Sequence, residues 1–261
     1  MNTNKVVMAG AGTMGASLAQ VYAQAGWDTV LYNRSDSGLK RAKNLIEVNQ
    51  AVFVKEGILE ESHSKALVSR IKMTTGKEDF RDAALVVESI VENLDAKRAF
   101  WEEISEIAPV EALFATNTSG LKITEIAKVC KYPERFMGQH WLNPPHLLPL
   151  CEIIAGEKTS QENVQKMRKL VEGLGKRPVV VADINGFIIN RIQFAVLREA
   201  LHIVDIGAAT IEDVDTVLKA GMGLRYAALG PFGVADFGGL DTFDHINTYL
   251  NAELDDSKVG N

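Results

Sequence analysis

The chain opens with a short apolar run, Lys5 to Ala9, then a glycine-rich turn, Gly10 to Gly15, then an Ala/Leu/Val pattern from Met14 to Ala25 that closes at Gly26. Apolar residues recurring at three- and four-residue intervals predict a helix with one buried face, so the opening reads strand, turn, helix. Thr29 to Tyr32 is the next strand-like run and ends in Asn33-Arg34-Ser35. Residues 38 to 70 carry a helical pattern with Glu and Lys at exposed positions and one interruption at Gly57. This predicts a helical hairpin inserted into the alternation.

Further strand-like runs fall at Ala84 to Val87, Leu113 to Ala115, Phe136 to Gln139, Leu150 to Ile154 and Pro178 to Val181, with helical segments between several of them. Such alternation predicts a mainly parallel sheet covered by helices, an α/β fold of the Rossmann type. From Asn185 onward the pattern is helical, with three- and four-residue apolar spacing over Phe187 to Val204 and over Thr210 to Leu218. The expected organisation is a dinucleotide-binding domain over residues 1–183, with its hairpin at 38–70, and a smaller all-helical domain over 184–261.

Composition narrows the function classes. With 261 residues, 46% of them hydrophobic, the chain can bury a substantial core, and disorder is not expected. Lys and Arg number 28 against 34 Asp and Glu, a net charge of -6, so no overall field draws the protein to nucleic acid or to an anionic membrane. No stretch approaches the ~20 apolar residues of a membrane helix, and the opening MNTNKVVMAG reaches glycine too soon for a secretory signal. Cys130 and Cys151 lack the paired spacing of a disulfide framework or a zinc site, which predicts reduced thiols in the cytoplasm. His63, His146, His202 and His245 have no partner at helical spacing and no clustered Cys or Asp, so no metal is expected.

Gly10-Ala11-Gly12-Thr13-Met14-Gly15 fits G-x-G-x-x-G. In that pattern the first glycine permits the turn, the second admits a pyrophosphate, and the third lets helix and strand approach. The free N–H groups at the helix start add a partial positive charge for the phosphates. The motif alone is weak evidence; its place inside a strand-helix-strand unit predicts a dinucleotide site rather than a merely tight turn. At the end of the second strand an acidic residue would ordinarily meet the adenosine ribose, whereas this chain has Asn33-Arg34-Ser35. No carboxylate there repels a 2'-phosphate, and Arg34 and Ser35 offer it donors, so NADP is favoured over NAD. The competing reading leaves Arg34 as a solvated surface arginine.

The middle of the chain is more specific: VVESIVENLDAK over 86–97, TNTSGL over 116–121 and RFMGQHWLN over 135–143. Together with GAGTMG these resemble the L-3-hydroxyacyl-CoA dehydrogenase family, and the likeness continues through PLCEII, INGFIINRI and GPFGVADFGGLD. The resemblance implies a Rossmann domain whose hairpin contributes to substrate binding, a helical domain that forms a homodimer interface, and a role in fatty acid metabolism. It implies that Glu92, Lys97, Asn117 and Ser119 lie near the nicotinamide end of the cofactor, and that His140, Glu152, Asn143 and Asn190 form the catalytic group. The chemistry agrees, because oxidising a secondary alcohol requires a base for the hydroxyl proton, and an imidazole serves near neutral pH. A carboxylate beside it would fix the tautomer and stabilise the imidazolium. The resemblance further implies that Ser119 and Asn190 hydrogen-bond the 3-oxygen or its neighbours, and that Asn143 with Ser119 binds substrate.

Several positions depart from the family pattern. Trp141-Leu142 stands where paired phenylalanines are frequent, NPPHLLPL follows, and Arg225 falls where many acyl-CoA enzymes lack an arginine. That local pattern is similar to relatives acting on free hydroxy acids, such as gulonate or carnitine dehydrogenases. Arg225 is read either as a clamp for a substrate carboxylate or as a structural arginine. The chain also ends at Ser257-Lys-Val-Gly-Asn261 without the Lys-Gly-Phe-Tyr-type ending of typical members, which is expected to reflect a shortened or missing segment. The expected activity is interconversion of a short-chain 3-hydroxyacyl-CoA and its 3-keto form with NAD(P). The alternatives are dehydrogenation of a free 3-hydroxy acid and a dinucleotide-binding protein that has lost catalysis.

Overall fold

The computed structural model of the chain describes residues 4–256; the first three residues and the closing Ser257–Asn261 segment lie outside the described residues. The chain divides into two compact units, Met1–Ile188 and Ile189–Asn261. The division falls beyond Asp183 because the turn after the last strand still packs on the first unit, with Phe187 buried in its core and the Ile188 N–H on Glu152.

The first unit holds eight strands: β1 (Lys5–Ala9), β2 (Asp28–Tyr32), β3 (Ile71–Thr74), β4 (Leu85–Glu88), β5 (Leu113–Thr116), β6 (Phe136–Trp141), β7 (Leu150–Ala155) and β8 (Arg177–Ala182). They form one sheet in the order β3-β2-β1-β4-β5-β6-β7-β8, with neighbours parallel except β6 and β7, which are antiparallel. Strands covered on both faces must be apolar on both. Val6 and Met8 accordingly enter one core and Val7 and Ala9 the other, as Leu85 and Val87 separate from Val86. β3 was not expected: Ile-Lys-Met-Thr is a half-exposed edge strand with no apolar run to announce it. Strand order reverses between β1 and β4, which opens a crevice at their carboxyl ends.

The helices of this unit are α1 (Thr13–Gln24), α2 (Asp36–Lys55), α3 (Glu61–Ser69), α4 (Leu94–Ile107), α5 (Ile123–Ala127) and α6 (Gln161–Gly173). α2 and α3 form the inserted hairpin, turning at Gly57 with φ 68°. Its orientation is set by a buried amide chain. Gln50 Nε2 donates to Gln20 Oε1 on α1 at 2.9 Å, and Ser64 Oγ on α3 donates to Gln50 Oε1 at 2.9 Å. Buried amides are costly unless paired, so this chain selects one seating of the hairpin on the helix that follows the glycine turn.

The second unit is helical: α7 (Ile189–Asp205), α8 (Ile211–Val217), α9 (Leu224–Ala228), α10 (Pro231–Gly238) and α11 (Leu240–Leu250), with a π-helical segment Leu218–Gly223 between α8 and α9. Thr210 caps α8 by accepting from the Asp213 N–H at 3.1 Å. The expected helix from Phe187 begins two residues later, because Gly186 and Phe187 both take positive φ. Among the described residues no helix is long and apolar enough to cross a membrane.

Candidate active site

β1 ends at Ala9 and the chain turns at Gly10, where φ is 109° and a Cβ would strike the Ser89 carbonyl. A Cβ at Gly15 would overlap the Gly10 carbonyl oxygen. Both glycines are required by backbone crowding inside the protein. Gly12 differs: nothing lies within 4 Å of where its Cβ would stand, and it is the N-cap of α1 with no side-chain capping bond. The twelve-residue helix therefore presents its start, with Thr13 exposed and Met14 half-buried, to open space that an anion fits.

At the end of β2 the Asn33 side chain closes a small loop. Its Nδ2 donates to the Ser35 carbonyl at 3.0 Å, and its Oδ1 accepts the Ala11 N–H at 3.4 Å. Ser35 caps α2, its Oγ accepting from the Gly38 N–H at 3.4 Å. Asn33 and Ser35 thus tie β2 to the glycine turn, while Arg34 between them is exposed.

His140 lies near the end of β6, directly opposite Glu152 in the antiparallel β6–β7 register. Cross-strand partners share a face of the sheet, and His140 Nδ1 meets Glu152 Oε2 at 2.7 Å with both residues buried. Glu152 Oε1 accepts the Ile188 N–H at 2.9 Å. A carboxylate only accepts, so Nδ1 carries the hydrogen and the lone pair resides on Nε2. Phe187 covers the imidazole with its centroid 5.4 Å away.

A second buried group lies at the ends of β4 and β5. Glu88 and Lys97 are both fully buried and pair at 2.6 Å. Glu88 also accepts from the Ile90 N–H at 2.8 Å, Thr116 Oγ1 at 2.7 Å and Trp101 Nε1 at 3.4 Å. Lys97 reaches on to Glu92 Oε2 at 3.4 Å, and Glu92 Oε1 takes the Thr118 hydroxyl and the Ser119 N–H, the latter at 3.0 Å. Burial alone would raise the Glu92 carboxyl, but these bonds and the Lys97 charge outweigh it and hold it below its ordinary value. Asn117 links the same strand ends to the dyad strand: its Oδ1 accepts the Trp141 N–H at 3.1 Å and its Nδ2 donates to Ser89 Oγ at 3.4 Å.

Comparison with known proteins matches residues 5–184 to the NAD binding domain of 3-hydroxyacyl-CoA dehydrogenase and residues 186–261 to the C-terminal domain of the same family. The chain belongs to the 3-hydroxyacyl-CoA dehydrogenase family. A 5-formyl-3-hydroxy-2-methylpyridine 4-carboxylate 5-dehydrogenase of Mesorhizobium japonicum is 36% identical over 254 residues, covering 95% of this chain and 80% of that protein. A probable 3-hydroxybutyryl-CoA dehydrogenase of Deinococcus radiodurans is 38% identical over 249 residues, covering 95% of this chain and 88% of its own. The crystal structure of a pyridine-carboxylate 5-dehydrogenase of the first kind, described as an NAD+ dependent dismutase, superposes with a TM-score of 0.90 at 35% identity, covering 99% of this chain and 83% of that one. The chain is thus an oxidoreductase with an NAD-binding Rossmann domain, and the expected fold class stands.

Within this dehydrogenase fold the first unit brings together His140 with Glu152 and Ser119 with Glu92, while Asn117 bonds Ser89 and the Trp141 N–H. Lys97 was expected near the cofactor; its ammonium is enclosed, 2.6 Å from Glu88 and 3.4 Å from Glu92. Asn143 is exposed in the turn after β6, where Asn143–Pro144 is cis. Asn190 lies in the first turn of α7, and Arg225 is exposed on α9, both in the second unit. Glu88, Thr118 and Phe187 were not singled out from the sequence, although a carboxylate closing the otherwise apolar run Leu-Val-Val-Glu was a signal for the first. Cys130 and Cys151 are free and buried, and burial pushes the Cys130 thiol up to about 12. Among the described residues no set of three His, Cys, Asp or Glu converges as metal ligands would.

The two kinds of glycine give a prediction. Gly15→Ala is expected to destabilise the first unit, because the Gly10 carbonyl must move. Gly12→Ala should melt with the parent protein yet bind NADH about tenfold more weakly, about 1.4 kcal/mol. Scanning fluorimetry and an NADH fluorescence titration check both; equal NADH affinity in the Gly12 variant would place the pyrophosphate elsewhere.

Proposed function

We propose that the protein interconverts a short-chain 3-hydroxyacyl-CoA, such as 3-hydroxybutyryl-CoA, and the corresponding 3-ketoacyl-CoA. The observation that carries this reading is the buried His140–Glu152 pair. Gly10, Gly12, Thr13, Met14 and Gly15 would hold the pyrophosphate of the dinucleotide, with Asn33, Arg34 and Ser35 at the adenosine end and Glu92 and Asn117 at the nicotinamide end. When bound, the dinucleotide supplies the hydride acceptor or donor.

His140 Nε2 takes the substrate hydroxyl proton, and the positive charge that forms on the ring faces the Glu152 carboxylate. Because both carboxylate oxygens are held, by Nδ1 and by the Ile188 N–H, the stabilising charge need not reorganise as the ring is protonated. In the reductive direction the same nitrogen returns a proton to the 3-keto oxygen. Ser119 hydrogen-bonds that oxygen and Asn143 binds the acyl portion; Asn190 is proposed as a further catalytic residue on the strength of the family resemblance alone. Exposed Arg34, with no carboxylate at the end of β2, supports a preference for NADP over NAD.

Arg225 supports a second reading, dehydrogenation of a free hydroxy acid whose carboxylate it clamps, and the Mesorhizobium relative is named for a free pyridine carboxylate. We also assign the protein to the cytoplasm as a homodimer, with no membrane or nucleic-acid partner. The exposure of Phe194, Leu224, Phe232 and Phe237 in the second unit supports a covered face there.

One panel separates these readings: NADPH and NADH against acetoacetyl-CoA and a set of free keto acids, with Arg34→Ala and Arg225→Ala alongside. The acyl-CoA reading expects turnover of acetoacetyl-CoA, indifferent to Arg225→Ala, with Arg34→Ala raising KM for NADPH about tenfold more than for NADH. Turnover confined to free acids and lost with Arg225 would establish the second reading. Silence with every pair would sink both.

A further inference from the structure

Among the described residues Phe187 is the one non-glycine residue with positive φ, 50°, and it follows Gly186 at 76°. An L-residue with a bulky side chain is disfavoured in the left-handed region and persists there only where its surroundings over-determine it. Two contacts do so. The ring is 1% exposed, within the core cluster that holds Ile123, Ile154 and Val181, and its centroid lies 5.4 Å from the His140 imidazole at 58°. The very next N–H, of Ile188, donates to Glu152 Oε1 at 2.9 Å, while the other oxygen of that carboxylate holds His140 Nδ1 at 2.7 Å.

One hydrogen bond at Nδ1 still allows the imidazole to rock through coupled χ1 and χ2 changes, and that rocking carries Nε2 through a small arc. The Phe187 ring, packed against the imidazole at a 58° tilt, restricts that motion. We propose that Phe187 is a positioning residue for the dyad: its ring fixes the imidazole plane, and the left-handed turn it adopts delivers the Ile188 N–H that fixes Glu152. The inference rests on His140 being the proton-transfer group proposed above. A core residue of ordinary kind would need neither the strained φ nor the adjacent donor to the same carboxylate.

Phe187→Gly and Phe187→Ala test this together. Glycine accepts the left-handed turn at no steric cost, whereas alanine is strained there. Phe187→Gly is therefore expected to keep the Ile188–Glu152 bond, bind NADH as the parent does, and lose about 10- to 100-fold in kcat with KM little changed. Phe187→Ala should lose at least as much kcat and melt lower than the glycine variant. The independent readout is the His140 Nδ1–H proton in NMR spectra, which should broaden or shift in Phe187→Gly. A glycine variant with kcat within about twofold of parent and that proton unmoved would overturn the proposal, since a misplaced base costs far more. A parent protein that shows the proton but turns over no substrate would instead overturn the dehydrogenase reading, and the resonance in Phe187→Gly would then decide the positioning role alone.

Discussion

His140→Asn is expected to lower kcat by about a thousandfold while leaving the fold and NADH affinity near those of the parent, whereas His140→Ala should lose as much rate and some stability besides. The difference comes from Glu152. The carboxylate is 1% exposed, and His140 Nδ1 and the Ile188 N–H each bind one of its oxygens. Asparagine removes the proton-accepting Nε2 but keeps, at the position of Nδ1, an N–H donor for Oε2. Alanine strands part of a buried carboxylate, and a buried charge that loses a donor is costly. Steady-state rates, a dinucleotide titration and thermal melts on the two variants separate the roles. Turnover in His140→Asn within tenfold of parent would remove His140 as the base, and an unmeasurable rate in the parent protein would favour a dinucleotide binder without catalysis.

What was legible in the sequence follows what each signal encodes. The glycine turn was readable because each glycine has its own steric reason, and the structure separates them into two crowded positions and one open one. β1, β4, β5 and β6 were readable because strands buried on both faces are apolar runs; β3, a half-exposed edge of four residues, left no such trace. The opposition of His140 and Glu152 depends on a register, and only the strands joined by the Asn143–Pro149 turn suggested it. Apolar spacing counted Phe187 as helix because periodicity records which side chains are buried and is blind to the sign of φ. Lys97 was placed by resemblance beside the cofactor, but residue type alone could not reveal that Glu88 waits beneath it in the core. Asn190 and Arg225 belong to the second unit, where helical periodicity marks the elements but not which polar side chain serves a substrate; Arg225→Ala in the substrate panel tests the second of them.

The largest stability effect is expected at that buried pair. Glu88→Leu removes the acceptor of four groups: the Lys97 ammonium, the Ile90 N–H, the Thr116 hydroxyl and the Trp101 indole. It also leaves a fully buried ammonium with one remaining carboxylate at 3.4 Å, so about 3–5 kcal/mol of stability should be lost. Lys97→Met should cost less, because the Glu88 carboxylate keeps its three neutral donors, although Glu92 loses its cation. The double variant Glu88→Leu/Lys97→Met should be more stable than Glu88→Leu alone, since no buried charge is then left without its partner. All three tryptophans, Trp27, Trp101 and Trp141, lie in the first unit, so urea unfolding followed by tryptophan fluorescence reports on this unit. Additive losses in the double variant would show that the two charges are not coupled. A non-additive recovery, together with weakened NADH binding in Lys97→Met, would show that the pair holds the sheet ends together and also sets the Glu92 carboxylate that we propose at the nicotinamide end.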